Sequence, residues 1–284
     1  MAAAADSFVR LGPAIPASPV ILSVPHAGRV YPAALRPLLR VPLATLMALE
    51  DRHADTVAHA ARGQEMLFVQ HAPRAWIDLN RGEQERDPLI DSGADPRTQP
   101  MAGAKLRNGL GLVPRRVLGQ DIWLRRLRGE EVTARIAGAH RPYHAALSAA
   151  LAAARARFGV AVLLDIHSMP PLGPEDEAAR LVFGDRFGAT AAARFVARLE
   201  AVAEGAGLRH ALNAPYAGGH ILARHAAPRR GIHAIQLELD RRLYLDGALV
   251  EPGDGLAATA RVLRQMIDSL TDEALSGGLA QAAE

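Results

Sequence analysis

The sequence contains no cysteine and only one lysine among its 284 residues. Without cysteine it can form no disulfide, thiolate zinc site or thiol nucleophile, so any metal site must use histidine and carboxylate side chains. No apolar run reaches the length of about eighteen residues that a membrane helix needs. No Lys/Arg-rich run with interleaved aromatic residues is present either. We therefore expect neither a membrane nor a nucleic-acid partner.

The rest of the composition is typical of a globular protein with a sizeable core. Hydrophobic residues make up 49% and charged residues 22%, and the net charge is +3. Residues 1–18 contain Asp6, Arg10 and several prolines where a secretion signal would be apolar, so we expect a cytoplasmic protein. We predict a single catalytic domain, 1–284, with a tail that frays from about residue 277.

A buried strand with polar side chains at its end is predicted in VAVLLDIHSMP, residues 160–170. Its continuous apolar run, bounded by prolines, is typical of a strand in a mostly parallel sheet. Asp165 and His167 follow the run and point to the same side, because they are two residues apart. Ligands bind at this edge of open α/β sheets. The pair therefore indicates a metal ligand or an acid/base group, and the alternative is a buried histidine satisfied by its neighbour.

Three other predicted strands end in similar chemistry. They are Val20–Val24 followed by His26, Trp76–Leu79 followed by Asn80 and Arg81, and His233–Leu239, which contains Glu238. In a parallel sheet these ends share one edge, so we expect their side chains to form one site. Each also has a simpler interpretation: an exposed turn histidine, a solvated arginine, or a carboxylate facing water from an edge strand.

The remaining pattern predicts a three-layer α/β fold, with a mostly parallel, mixed central sheet and helices on both faces. Asp51 and Asp55, in the predicted helical region Leu43–Arg62, would share one helix face, although acids there also suit the helix dipole. Gly82–Gly129, rich in arginine, glycine and proline, is predicted to be a long insertion or lid. Further predicted elements are strands at Phe8–Leu11, Met66–Val69 and Arg180–Gly184, and helices at Glu130–Arg157 (broken at Pro142), Thr190–Glu204 and Leu256–Leu270.

These residue types suit metal-assisted hydrolysis of an amide. Two histidines and one carboxylate bind Zn²⁺ and leave a position open for water. A separate glutamate can take the proton of that water, and an arginine can stabilise the developing oxyanion. An Arg-Asn pair can hold a substrate carboxylate.

The sequence also resembles the N-formylglutamate amidohydrolase (deformylase) family. The resemblance is carried, in order from residue 23 to about 244, by SVPHAG, DRHAD, PRAWIDLNR, RPYH, LLDIHSM, NAPYAGGH and QLELD. It implies a fold similar to zinc carboxypeptidases and hydrolysis of N-formyl-L-glutamate, a small acidic N-acyl amino acid, to formate and L-glutamate.

The resemblance also implies roles for individual residues. The metal ligands would be His26, Asp55 (with Asp51 as the alternative) and His167, holding one Zn²⁺ or another divalent ion. Glu238 would be the general base, and Arg74 would stabilise the oxyanion. The substrate-binding residues would be Asn80, Arg81, Asn213, Tyr216, Gly219 and His220. Asp165 would support the site rather than bind the metal.

Two other functions remain open from the sequence. The same chemistry could act on another N-acyl amino acid or a small peptide. A carboxylate-binding protein without turnover would keep the clamp and lack catalysis.

Overall fold

The computed structural model describes residues 7–97 and 103–281. These residues divide into two compact units. Unit 1 comprises the described residues of Met1–Val9, Pro25–Glu50 and Gln70–Ala146. Unit 2 comprises those of Arg10–Val24, Asp51–Val69 and Leu147–Glu284. The single catalytic domain stays a prediction.

The described residues form nine strands and seven α-helices. The strands are β1 (Phe8–Leu11), β2 (Val20–Val24), β3 (Met66–Gln70), β4 (Arg116–Val117), β5 (Gln120–Asp121), β6 (Ala161–Met169), β7 (Leu181–Gly184), β8 (His210–Leu212) and β9 (Ile232–Asp240). The helices are α1 (Ala54–Ala61), α2 (Ala104–Arg107), α3 (Gly129–Arg135), α4 (Arg141–Phe158), α5 (Ala193–Gly205), α6 (His220–His225) and α7 (Leu256–Gln281).

Most of a seven-stranded sheet, in the order β1-β3-β2-β6-β9-β7-β8, belongs to unit 2. β2 runs parallel to β3 and β6, and β6 runs parallel to β9, whereas β7 is antiparallel to β9. The predicted mostly parallel, mixed α/β sheet is therefore confirmed. β6 is buried along all nine of its residues, as expected of a central strand that is covered on both faces.

The register of this sheet positions the polar side chains. Ser23 of β2 pairs with Asp165 of β6, and His167 of β6 pairs with Glu238 of β9. Because β2, β6 and β9 are parallel, their carboxyl ends meet at one edge of the sheet. The strand predicted at Phe8–Leu11 is also confirmed, as β1 at the end of the strand order.

Unit 1 contains the antiparallel pair β4 and β5, within the segment predicted as a lid. That segment, Gly82–Gly129, buries more apolar side chains than its composition led us to expect. They include Ile90, Leu112, Ile122, Trp123 and Leu127. The segment therefore helps to form the interior of unit 1, and its role as a lid stays a prediction.

Two predicted helical regions are interrupted. Leu43–Arg62 consists of a 3₁₀-helix at Leu43–Leu49 and then α1, with an extended Glu50 between them. The second region breaks before Pro142 rather than at it, because α3 ends at Arg135 and a π-helical turn, Ile136–His140, precedes α4. Pro142, which cannot donate a backbone hydrogen bond, lies just after this π-helical turn, and the helical run continues through it.

Helix α7 packs against α1 and α5 and extends to Gln281. Residues 282–284, the end of the predicted tail, lie outside the described residues. In the part of the chain that the structure describes, no helix is both long and apolar enough to cross a membrane.

Candidate active site

His167 lies in β6 with its side chain between two carboxylates of unit 2. Its Nδ1 is 3.0 Å from Asp51 Oδ2 and its Nε2 is 2.8 Å from Asp165 Oδ2. All three side chains are buried. The other oxygen of Asp165 accepts a 2.6 Å hydrogen bond from the Ser23 hydroxyl, which fixes the carboxylate. A carboxylate that holds one imidazole nitrogen is the usual support of a metal-binding histidine.

The surrounding carboxylates keep His167 positively charged. Burial alone would lower the pKa of His167, but the charges and hydrogen bonds of Asp165 and Asp51, with the charge of Glu238, raise it well above its ordinary value. Both imidazole nitrogens then carry hydrogen and donate to the two aspartates. A metal ion at Nδ1 would have to replace a proton, as is usual for histidine ligands.

Glu238 lies opposite His167 on the interior strand β9. It is only 6% exposed, so the interpretation of an edge strand facing water is wrong. Gln236 Nε2 donates a 2.8 Å hydrogen bond to Glu238 Oε1. Residues paired in register project on the same side of a sheet. The carboxylate therefore stands on the face that carries His167, where it can accept a proton.

Of the two acids considered as the third metal ligand, Asp51 rather than Asp55 is the one whose contact with His167 the structure describes. Asp51 precedes α1, in the break between the two helices, whereas Asp55 lies in the first turn of α1. The sequence pattern predicts that the two acids share one helix face. This prediction is wrong, because Asp51 lies outside α1. Asp51 and His167 offer ligand atoms within 4.8 Å of each other, a distance that one metal ion can bridge.

Arg241 also belongs to this cluster, although it was not among the residues predicted from the sequence. Its Nε donates to Ser168 Oγ at 3.2 Å, and its Nη2 lies 3.7 Å from Asp51 Oδ1. The available signal was its position directly after β9, at the same sheet edge as the predicted residues. A guanidinium there adds positive charge suited to an anionic substrate.

Asp78 is the centre of a second cluster, in unit 1, and was also missed. Its Oδ1 lies 2.7 Å from His26 Nε2 and accepts from the Asn80 backbone N–H at 2.8 Å. Its Oδ2 accepts from Arg74 Nε at 2.8 Å, and Arg81 Nη2 is 3.9 Å away. These contacts bring together four of the predicted residues.

The cationic neighbours keep Asp78 ionised. Complete burial would raise the pKa of Asp78, but Arg74, Arg81 and His26 together hold it well below its ordinary value. The carboxylate can therefore orient the His26 ring through Nε2. This is the same arrangement that Asp165 provides for His167.

The strand predicted at Trp76–Leu79 is wrong, because this segment consists of turns. Trp76 N donates to Pro73 O, Arg81 N donates to Asp78 O, and the Asp78 side chain accepts from Asn80 N. Aspartate side chains stabilise turns in this way. The informative signal was a carboxylate within an apolar run, where only a partnered acid is tolerated.

Two neighbouring histidines hold the backbone of the predicted carboxylate clamp. His140 Nε2 donates to Arg81 O at 2.8 Å, and His144 Nε2 donates to Leu79 O at 3.0 Å. Their ring centroids are 4.3 Å apart, and both side chains are buried. The π-helical turn before α4 ends at His140, so it sets the position of this residue relative to His144. Both histidines therefore hold the backbone of the segment that carries Asn80 and Arg81.

The Gly-rich loop Asn213–His220 lies in unit 2 between β8 and α6. Its residues Tyr216–Gly218 lie directly against Gly184, where a Cβ atom would approach Ala217 C to 2.7 Å. The Asn213 side chain is occupied in the fold: its amide donates to Asp185 and its oxygen accepts from Asp185 N. Gly219 caps α6, and His220 is the first residue of that helix.

Comparison with known proteins identifies the family. The profile of the N-formylglutamate amidohydrolase family matches residues 18–245, well over half of the chain. The chain belongs to this family. The resemblance of the sequence motifs to N-formylglutamate amidohydrolases is therefore confirmed, and the matched range contains both clusters.

Individual N-formylglutamate amidohydrolase relatives match over nearly their full length. N-formylglutamate deformylase from Pseudomonas aeruginosa strain PAO1 is 31% identical over 264 residues, covering 89% of this chain and 92% of that protein. The deformylase from Pseudomonas putida is 32% identical over 265 residues, with the same two shares. The crystal structure of N-formylglutamate amidohydrolase from Ralstonia eutropha JMP134 is 32% identical with a TM-score of 0.87, covering 96% of this chain and 100% of that one.

Proposed function

We propose that this chain is a metal-dependent amidohydrolase that converts N-formyl-L-glutamate and water to formate and L-glutamate. One observation carries the proposal: in a member of this family, His26 and His167 each have Nε2 held by a buried carboxylate. That support orients Nδ1 of each ring for metal binding.

His26, Asp51 and His167 are the proposed ligands of one divalent ion, and Asp51 takes the place first assigned to Asp55. Ser23 pairs with Asp165, and His26 follows Ser23 by three residues, a chain length of at most about 11 Å. Imidazole and carboxylate donors suit zinc and leave a fourth position for water or substrate. When bound, such an ion polarises the scissile carbonyl and lowers the pKa of a water molecule.

Glu238 is the proposed general base. Its buried carboxylate, on the same sheet face as His167, would take a proton from the attacking water and later give it to the leaving nitrogen. Gln236 Nε2 donates to Oε1 of this carboxylate and so helps to orient it. The bonds broken and formed then balance: the formyl C–N bond breaks, formate takes the hydroxyl and the amine takes the proton.

Arginines are the proposed contacts for substrate charge. Arg74 would stabilise the developing oxyanion, and Asn80 with Arg81 would hold a carboxylate of the substrate. Arg81 Nη2 is buried and has no hydrogen-bond acceptor among the described residues. A buried donor without an acceptor is unfavourable, which favours binding of an anion.

The loop Asn213–His220 is the proposed wall of the substrate site. Tyr216, Gly219 and His220 are its proposed substrate-binding residues. We assign Asn213 to holding the loop, because both ends of its side-chain amide already bond to Asp185.

The test is hydrolysis by purified protein, measured as release of the free amino acid, before and after exhaustive chelation. N-formyl-L-glutamate, N-formyl-L-aspartate, N-formyl-L-leucine and N-acetyl-L-glutamate form the substrate panel. We expect preference for N-formyl-L-glutamate, loss of turnover on chelation and recovery with zinc. Turnover that survives chelation would exclude the metal mechanism. A preference for the leucine compound would exclude an acidic substrate, and a preference for the acetyl compound would reassign the acyl group.

A further inference from the structure

A groove in unit 1 lies outside both clusters and has an apolar lining. Its volume is about 600 Å³, within the range of small-molecule sites. Apolar side chains dominate its wall: Val30, Pro32, Leu38, Ala72, Trp76 and Ala139. Val30 is 65% exposed, so the groove opens to solvent. Its dimensions suit one small organic molecule.

Arg135 lies in this wall and is buried, with 3% exposure. Its guanidinium stacks 3.9 Å from the centre of the Trp76 ring, and Trp123 is 5.2 Å away on the same measure. Nη1 donates to Trp76 O at 3.1 Å. Within 7–97 and 103–281, Nε has no hydrogen-bond acceptor. Burial lowers the pKa of Arg135 only to about 10, so the group remains charged at neutral pH.

No carboxylate of the described residues forms an ion pair with Arg135. Glu131 also lines the groove, and its charge, with that of Asp91, acts favourably on Arg135 without a direct contact. Arg125 holds both oxygens of Glu131 at 2.7 and 2.9 Å. Aromatic faces stabilise a buried guanidinium only in part, and a buried charge ordinarily needs a counter-ion. A ligand with a pair of anionic oxygens, such as a carboxylate, would supply the counter-ion for Arg135.

We propose that this groove binds a small carboxylic acid with an apolar body, its carboxylate on Arg135 and its body against the apolar wall. A planar carboxylate matches the guanidinium fork. The wall also includes Gly138 and Ala139 of the π-helical turn, a kind of irregularity that is frequent at functional sites. The proposal is independent of the hydrolase assignment.

Intrinsic tryptophan fluorescence can report ligand binding in this groove, because the chain has two tryptophans and both lie beside Arg135. The full-length protein is titrated with hexanoate and 4-phenylbutyrate, with the corresponding amides as neutral controls and acetate as the acid without a body. We expect saturable binding of the two acids and affinity for the amides lower by about tenfold or more, the value of a charge-assisted hydrogen bond. Acetate should not saturate. Equal binding of acid and amide would overturn the proposal.

Two variants locate the binding. Arg135→Met keeps an apolar stem but removes the charge, and we expect loss of acid binding. Ala134→Leu adds bulk from an exposed position of α3 in the groove wall. It should also abolish binding while leaving formate release unchanged. If Arg135→Met fails to fold by circular dichroism, Ala134→Leu decides alone, and retained affinity contradicts the proposal. Sedimentation showing a dimer that Ala134→Leu dissociates would reassign the groove to self-association and overturn acid binding.

Discussion

Asp51 and Asp55 are four residues apart, and the contact with His167 distinguishes them as candidate metal ligands. Asp51 Oδ2 meets His167 Nδ1 at 3.0 Å. We therefore expect Asp51→Asn to lose bound metal and formate release together. Asp55→Asn, the matched control in the first turn of α1, should retain both. Metal content by mass spectrometry and steady-state turnover measure the difference, and metal loss confined to Asp55→Asn would restore our first assignment.

Glu238 offers a second contrast at the level of one atom. Glu238→Gln keeps the volume and an oxygen that can accept from Gln236, but it cannot take a proton. We expect turnover to fall by about 100- to 10,000-fold with metal content unchanged.

The control for Glu238→Gln is Glu65→Gln, at a buried carboxylate held by Arg264 just before β3. That variant should lose stability and keep turnover. Turnover that is unaffected in Glu238→Gln would remove Glu238 as the base.

The histidines before and within α4 connect a helix to the proposed substrate clamp. Without His144, the Leu79 carbonyl loses its donor and the segment carrying Asn80 and Arg81 loosens. We expect His144→Ala to raise KM for N-formylglutamate by about tenfold, the effect of one lost hydrogen bond that orients a charged group, with a smaller effect on kcat.

Rescue by a conservative variant separates positioning from general damage. Glutamine at position 144 carries an N–H at a similar reach, so His144→Gln should recover part of the KM. Ser148→Ala, one turn further along α4, removes a hydrogen bond to His225 instead and should leave KM unchanged. If His144→Ala, His144→Gln and Ser148→Ala all had the same KM, His144 would have no positioning role in substrate binding.

Sequence pattern predicted some elements well because one physical cause dominated each. Strands β2, β6 and β9 are continuous or alternating apolar runs, and burial decides such segments. The turn at Asp78 was missed because its cause is a set of side-chain bonds within a short apolar run. The break before Asp51 was missed for a similar reason: its residues favour helix locally, and contacts with distant His167 and Arg241 compete with that preference.

Two buried groups make the stability of the whole molecule depend on pH in opposite directions. The pKa of Asp78 is depressed, so its contribution is present above about pH 4, its unfolded value, and is lost as pH falls through the folded pKa. The pKa of His167 is raised in the metal-free protein. Its contribution is complete below about pH 6.5 and is lost as pH rises through the folded pKa. The metal-free protein should therefore be most stable in mildly acidic solution.

Metal loading should cancel the loss of stability on the alkaline side of this profile. Below the folded pKa of His167, binding must displace its proton, so affinity should improve by about 1.4 kcal/mol per pH unit as pH rises. At a free zinc concentration of about 100 Kd the stabilisation is about 2.7 kcal/mol, or about 5 to 10 °C in Tm. Calorimetry of chelated and loaded protein between pH 5.5 and 8.5 should show this gap widening. Asp165→Asn removes the main partner that raises the pKa of His167, so the stability gap in this variant should depend less on pH. In the unchanged protein, an equal stability gap at every pH would contradict His167 as a metal ligand.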